Sequence, residues 1–418
     1  MSKKILYIGY NFSPELTGIG KYSGEMMEWL AESGHNCTVV TSYPYYPQWE
    51  VSKEYRSKRF WFYKEKKEYP SGGVLKVYRC PMYVPKEPNG KKRIISDFSF
   101  FFSAFLQIVI LLFKKRNNFV ISVSPSFLNG LLGVFYKKIK KAKHLHHIQD
   151  LQIEAASELG MIKSQSVLDM LFKMENYIFK NSEVVSSISE TMMKRISAKA
   201  KKDISFLPNW TDTSFFFPIK DKKELKTKFN LDKDDKVILY SGAIGEKQGL
   251  ENILFTAESL KSEPNLRFVI CGSGPYKKVL EDKANGMGLK NVSFFPLQPK
   301  EDFNDFLNMA DVHLVIQKKN ASDLVMPSKL TTILSVGGAA LVTADFGTDL
   351  HTLISKYNIG HVVEAENKQE LTNGISHLMK SNDLPNIQKN AHEYANEYLN
   401  IDKIMARLDN ELLGVIAK

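Results

Sequence analysis

Cysteine is scarce in this chain of 418 residues. Cys37, Cys80 and Cys271 stand far apart with no metal-like spacing, and their number is odd. Neither a disulfide framework nor a zinc cluster is expected, and a reducing cytoplasm fits. Low-complexity stretches are missing too. Apolar residues at 43% against 25% charged are ordinary for a chain that folds around large cores. "MSKK" runs straight into an apolar segment, so no signal peptide is expected. Acidic residues are in deficit, giving a formal charge of +11, with basic clusters at 90–93, 114–116 and 137–143, all in the first half. Such a surplus suits an anionic membrane face, a phosphate-rich substrate or nucleic acid. Nucleic acid is disfavoured, because the lysines flank aliphatic runs instead of interleaving with aromatic stacking platforms.

Long apolar runs are equally rare, with one exception. Residues 94–113, "IISDFSFFFSAFLQIVILLF", have about the length of a bilayer crossing, but Asp97, Gln107 and three serines interrupt them. Two readings stand: a long helix mostly buried in the first domain, or a helix that also lays its phenylalanines into the inner leaflet while its lysines meet anionic lipid.

The usual phosphate signatures are incomplete. The loop "NFSPELTGIGKYSGEM" follows the first strand, yet it lacks a phosphate-binding lysine signature, and Ser23 holds the third place of GxGxxG after Gly18 and Gly20. The two glycines allow a sharp turn and a close approach to a ligand, or they solve a packing problem. "LDKDDK" at 231–236 offers Asp232 and Asp234, but it precedes a strand instead of following one and reads as a charged turn. No metal site is expected.

What is present is alternation. Strands are predicted at 4–10, 37–42, 74–79, 118–123, 144–149 and 183–188, with helices at 20–33, 96–115, 126–140, 165–180 and 190–200. The stretch 43–72 looks like an irregular insertion. "SFLPNWTDTSFFFP" at 205–218 breaks the pattern, and a second alternating series runs from 236 to 366. The predicted fold class is α/β, two doubly wound domains facing across a cleft. Their bounds are 1–206 for the first, 207–218 for a linker, 219–395 for the second, and 396–418 for a terminal helix packing back on the first.

Several segments in this order resemble retaining glycosyltransferases of family 4, which have the GT-B architecture, and among them the group of exopolysaccharide and colanic acid assembly: "FSPELTGIGKYSGEM", "YPYYPQW", "HIQDLQIEAA", "LPNWTD", "LYSGAIGEKQGLE", "GSGP" and "PSKL". The resemblance implies a two-domain enzyme that needs neither metal nor cofactor. It would move a sugar from a nucleotide-sugar donor to a lipid-linked saccharide, while peripheral on the inner face of the cytoplasmic membrane. GDP-fucose is the favoured donor and a UDP-sugar the next. By resemblance, Gly18 and Gly20 border the transferring sugar, and the donor lies over Gly242, Gln248, Gly272 and Gly274, with Phe295 and Leu297 near the base.

The family's diphosphate clamp, an arginine and a lysine, falls here on Ala243 and Gln248, and its two glutamates fall on Leu324 and Thr332. Lys329, following Pro327 and Ser328, and Lys247 are the replacement cations, with Lys329 preferred. Asp323 and Thr332 are left for the ribose corner. Asp150 is the candidate for orienting acceptor or sugar, the competing reading being a helix cap. His147 and Glu154 stand beside it on the acceptor side, and the missing clamp motivates the rival reading of a non-catalytic partner subunit.

Overall fold

Short runs of Val, Ile and Leu become parallel strands because both faces of such a strand are covered and neither needs polar alternation. The protein's structure, a computed structural model, describes residues 2–15, 18–158, 162, 164–318 and 327–414. The chain separates into two units, Met1–Pro208 together with Ile404–Lys418, and Asn209–Lys403.

The first unit holds β1 (Lys4–Ile8), β2 (Asn36–Thr41), β3 (Tyr63–Glu68), β4 (Val74–Arg79), β5 (Phe119–Val123), β6 (Lys143–Ile148), β7 (Val184–Ser187) and β8 (Ser205–Phe206). They form one sheet in the order β3-β4-β2-β1-β5-β6-β7-β8. All neighbours are parallel except β3, which pairs antiparallel with β4. This corrects the expectation of an irregular 43–72. The strand "YKEKKE" is mostly exposed at the sheet edge, so it carries no apolar run for a sequence reading to find.

Leu6, Ile8, Tyr10, Val40 and Val120 make one core with Phe100, Ala104, Ile108 and Leu132. From the other face, Tyr7 donates to Ser23 Oγ at 2.6 Å on the helix Gly18–Glu32.

The apolar run of 94–113 lies in the helix Gly90–Leu112, capped by Asn89, which accepts from Lys92 N at 3.0 Å. Its length and hydropathy would suffice to cross a membrane, and only 33% of its most apolar window is buried. Phe100, Ala104, Ile108 and Leu111 meet the sheet, while Ile94, Phe98, Phe102, Leu106 and Ile110 stand exposed at four-residue spacing. A mostly buried helix is therefore ruled out. The segment is apolar all round, but only one side has a sheet to cover it.

The second unit holds β9 (Lys236–Ser241), β10 (Leu266–Cys271), β11 (Val292–Phe295), β12 (Val312–Val315), β13 (Ala339–Thr343) and β14 (Gly360–Val363). The order is β11-β10-β9-β12-β13-β14, all parallel. Ile238, Tyr240, Phe268 and Ile270 enter one core and Val237, Leu239, Val269 and Cys271 another, so helices cover both faces.

The chain's division differs from the predicted bounds at both ends. Thr211 N donates to Leu399 O at 2.8 Å and Ile401 N to Thr211 O at 3.0 Å, which ties the expected linker into the second unit. Of the terminal segment, only the part from Ile404 joins the first unit. There Asp409 binds Lys3 Nζ at 2.6 Å and His35 Nε2 at 3.0 Å, and Met405, Leu408 and Leu413 are buried.

Candidate active site

In a doubly wound sheet, ligands bind beyond the carboxyl ends of the strands where the strand order reverses. In the second unit β10 lies on one side of β9 and β12 on the other, so the switch point is between β9 and β12. The loop after β9 interlocks with the loop after β10. Gly242 N donates to Cys271 O at 3.0 Å, Ile244 N to Ser273 O at 2.9 Å and Tyr276 N to Ile244 O at 3.3 Å. A Cβ on Gly272 would stand 1.9 Å from Gly242 O, and one on Gly274 would stand 2.1 Å from Ile244 O. These two glycines are needed for backbone to meet backbone.

Lys329 reaches this junction from the helix Lys329–Ser335. Its Nζ lies 2.9 Å from where a Gly242 Cβ would be, and 3.9 Å from the centre of the Tyr240 ring. Tyr240 is itself fixed by donating to Ala243 O at 2.7 Å. Burial pulls the Lys329 ammonium down to about 7. Among the described residues no carboxylate pairs with it. An ammonium held without an anion next to bare backbone is suited to a phosphate.

The other predicted donor residues are placed unevenly. Gln248 ends the 3-10 turn Glu246–Gln248, with its Oε1 buried and unpartnered and 2.8 Å from where a Gly245 Cβ would be. Lys247 lies in that turn, and its side chain is outside the description. Ser328 is exposed, and its side chain does not cap the helix it precedes. Thr332 Oγ1 donates back to Lys329 O at 3.0 Å, leaving the hydroxyl as an acceptor only. Phe295 presents its carbonyl to Gly272 N at 3.3 Å and to Lys277 Nζ at 3.1 Å, and Leu297 is exposed. Asp323 and Leu324 fall outside the described residues.

In the first unit the switch point lies between β1 and β5. The opening loop is packed from within. Glu15 is buried and accepts from Tyr45 N and Tyr46 N, both at 3.0 Å, and from Asn11 Nδ2 at 2.9 Å. A Cβ on Gly20 would sit 2.2 Å from a Glu15 oxygen, so this carboxylate fills the space that a side chain there would need. Gly18 holds φ of 60°, the left-handed turn that begins the helix.

Asp150 follows β6, half-buried, and burial raises its pKa against a backbone hydrogen bond from Leu151 and the Arg93 charge. His147 is wholly buried, with Nδ1 3.0 Å from Ser186 Oγ and Nε2 unpartnered. Burial drives its pKa down to about 3, so it is a neutral imidazole at physiological pH. Glu154 is bound to Lys199, which also holds Glu175 at 2.7 Å, and so belongs to a charge group between helices.

Two residues escaped the sequence reading. Asp97, taken as an interruption of an apolar helix, accepts from Gln152 Nε2 at 2.8 Å. Burial pushes its pKa up to about 6, against hydrogen bonds from Gln152 and Tyr10 and the charge of Arg93. The signal was a lone acid on the helix's inner side. Lys318, three residues beyond β12, lays its Cγ and Cε 3.4 and 3.5 Å from where a Gly249 Cβ would be, placing a second cation beside the loop after β9. The signal was "QKK" at the end of a buried strand.

Comparison with known proteins identifies the family and the fold. The profile of the family "Glycosyl transferases group 1" matches residues 221–397. The chain is 39% identical to the putative colanic acid biosynthesis glycosyl transferase WcaI of Escherichia coli (strain K12), over 98% of this chain and 100% of that protein. In fold it resembles sucrose-phosphate synthase from Thermosynechococcus elongatus, with a TM-score of 0.74, 15% identity and 99% of each chain covered. It also resembles Anabaena HepE solved with UDP and glucose, with a TM-score of 0.68, 12% identity and 99% and 100% covered. The interlocked glycine loops with Lys329 lie inside the matched region, and the chain belongs to the group 1 glycosyl transferases and has the GT-B fold.

Proposed function

We propose that this glycosyltransferase moves a sugar, with retention, from a nucleotide-sugar donor to a lipid-linked oligosaccharide in capsule or exopolysaccharide assembly of the colanic acid kind. GDP-fucose is the first candidate donor and a UDP-sugar the next. The name of the Escherichia coli relative supports the pathway, and the UDP and glucose bound by HepE support the donor class. A relative named as a transferase and aligned over its whole length does not favour the non-catalytic subunit.

One observation carries the reading: the desolvated ammonium of Lys329 against Gly242, with no carboxylate paired to it among the described residues. A diphosphate supplies the absent anion and draws the ammonium back to its charged form. As the sugar–phosphate bond breaks, negative charge grows on the leaving group, and a cation already in place stabilises that state more than the ground state. Lys318 adds to the field, so the charge is met without a metal. With retention, the leaving phosphate assists deprotonation of the incoming hydroxyl on the same face, so the acceptor side needs positioning more than a strong base. Asp150 and the neutral His147 suit that role.

The acceptor would be met at the anionic inner face of the cytoplasmic membrane. The exposed stripe of the helix Gly90–Leu112 and the cations Lys91, Lys92 and Arg93 at its start support a peripheral seat.

Thermal shift against a panel of nucleotide sugars identifies the donor. We expect one of them to stabilise the protein and to release nucleoside diphosphate slowly, with both effects lost in Lys329→Ala. A flat panel, with release unchanged in that variant, would end the reading. Sedimentation with anionic vesicles at low salt should fall when Lys91, Lys92 and Arg93 are replaced by Ser, and indifference removes the membrane seat.

A further inference from the structure

The surface of the stretch 43–72 is unlike the rest of the first unit. Phe60, Trp61 and Phe62 are three consecutive aromatic residues, exposed by 69%, 75% and 45%. Single exposed apolar side chains are ordinary, but three in a row at a turn are not. They lie between the 3-10 turn Lys53–Tyr55 and β3.

The backbone beneath them is held. Trp61 O accepts from the hydroxyl of the buried Tyr43 at 2.7 Å, and Trp61 N donates to Lys58 O at 3.0 Å. The turn therefore offers its rings outward without ordering itself on contact. Residues 56–67 hold six basic side chains and a single acid, Glu65, which is already bound by Arg79 at 3.0 Å. Lys58 Nζ lies 3.9 Å from the centre of the Tyr63 ring, and the Arg59 guanidinium lies 4.6 Å from that of Phe60.

Tyr63 pairs with Arg79, the last residue of β4, so this turn stands at the carboxyl end of the sheet. The long helix, which leads from β4 to β5, begins at that same end, where the Arg93 guanidinium lies 5.1 Å from the centre of the Trp49 ring. Tyr63 packs on the same core as Phe101, Phe105 and Leu112.

We propose that Phe60, Trp61 and Phe62 are a second membrane anchor, seating their rings at the boundary of headgroup and acyl chain in an anionic bilayer. The proposal rests on the membrane reading above and adds to it. One weak apolar contact binds reversibly, and stable attachment takes two. The helix's exposed stripe is Ile, Phe and Leu, whereas tryptophan is the residue type of the interface itself, an apolar body with a polar edge. The surplus of lysine and arginine selects anionic lipid as the occupant.

The test uses the full chain and vesicles of phosphatidylcholine with phosphatidylglycerol. Of the four tryptophans, Trp210 is buried and Trp29 and Trp49 are part-buried, so Trp61 dominates any response to lipid. We expect a blue shift in emission and quenching by shallowly brominated lipid, both abolished in Trp61→Tyr. Vesicle affinity should fall about tenfold in the triple variant Phe60→Ser, Trp61→Ser, Phe62→Ser, with donor hydrolysis retained. If wild type sediments with vesicles and its tryptophans stay unquenched, the helix anchors alone and the proposal is overturned. It is overturned too if the triple variant binds as tightly as wild type, or if the turn proves to hold protein copies together in the absence of lipid. Failure of wild type to bind any vesicle removes it together with the membrane reading.

Discussion

The two sheets finish in opposite charges. Beyond the strands of the first unit stand Glu15, Asp97 and Asp150, each pushed up in pKa by burial. Beyond those of the second stands Lys329, pulled down by the same cause, with Lys318 close to the same loop. The three acids are held by hydrogen bonds within the first unit, whereas among the described residues no carboxylate pairs with Lys329, and a desolvated charge without a partner costs stability. Its retention at the ligand-binding end of the strands marks it as prepared for something that arrives later. Hydroxyl-rich saccharides are met by carboxylates and a diphosphate by ammonium groups, which is the division between acceptor and donor that the proposed function draws.

Several measurements bear on that division. The largest effect is expected from Lys329→Ala, which should lower transfer by about 10²- to 10³-fold, as the loss of one preorganised charge partner does. Steady-state nucleotide release reads it, and a near-normal rate would erase the second unit's part in the comparison. Next is Gly272→Ala. With its Cβ forced to within 1.9 Å of Gly242 O, it should destabilise the second unit by about 3 kcal/mol or more, seen as a lowered Tm.

Asp97→Asn should act on the first unit in two opposed ways. The folded pKa of about 6 lies above the ordinary carboxylate value, so ionisation costs stability above that pH, and the cost vanishes once the acid is protonated in both states. The amide should therefore raise stability at pH 8 by up to about 3 kcal/mol, while weakening acceptor use. A gain that persists at pH 3 would show that charge is not the cause.

The smallest effect is a slope. The free Lys329 titrates at about 7, and a bound diphosphate raises that value, so the complex holds the extra proton. Donor Kd should stay level below pH 7 and rise by up to about tenfold per unit above it. Calorimetry in two buffers should find proton uptake, absent in Lys329→Ala.

Both doubly wound sheets were legible in the sequence, because fully covered parallel strands are written as uninterrupted apolar runs. β3 was not, since an edge strand open to water is spelled in lysine and glutamate. Lys329 could be found from "PSKL" because a cation following a proline at a helix start has few structural uses. Gly20 shows the reverse. Its glycine was visible, but the carboxylate that needs the space comes from Glu15, which looks like any acid in a loop. Asp97 was hidden by its neighbours, as fifteen apolar residues in a run of twenty drew attention to the helix's outside while its chemistry lies on the inside. The donor residues of the family pattern could not be carried over, because Ala243 and Gln248 stand where an arginine and a lysine are usual.

Asp409 is clasped by Lys3 and His35. The first unit is thus sealed by a segment that follows the whole second unit in the chain. During synthesis it has to wait, its seam open, until the intervening unit has been made.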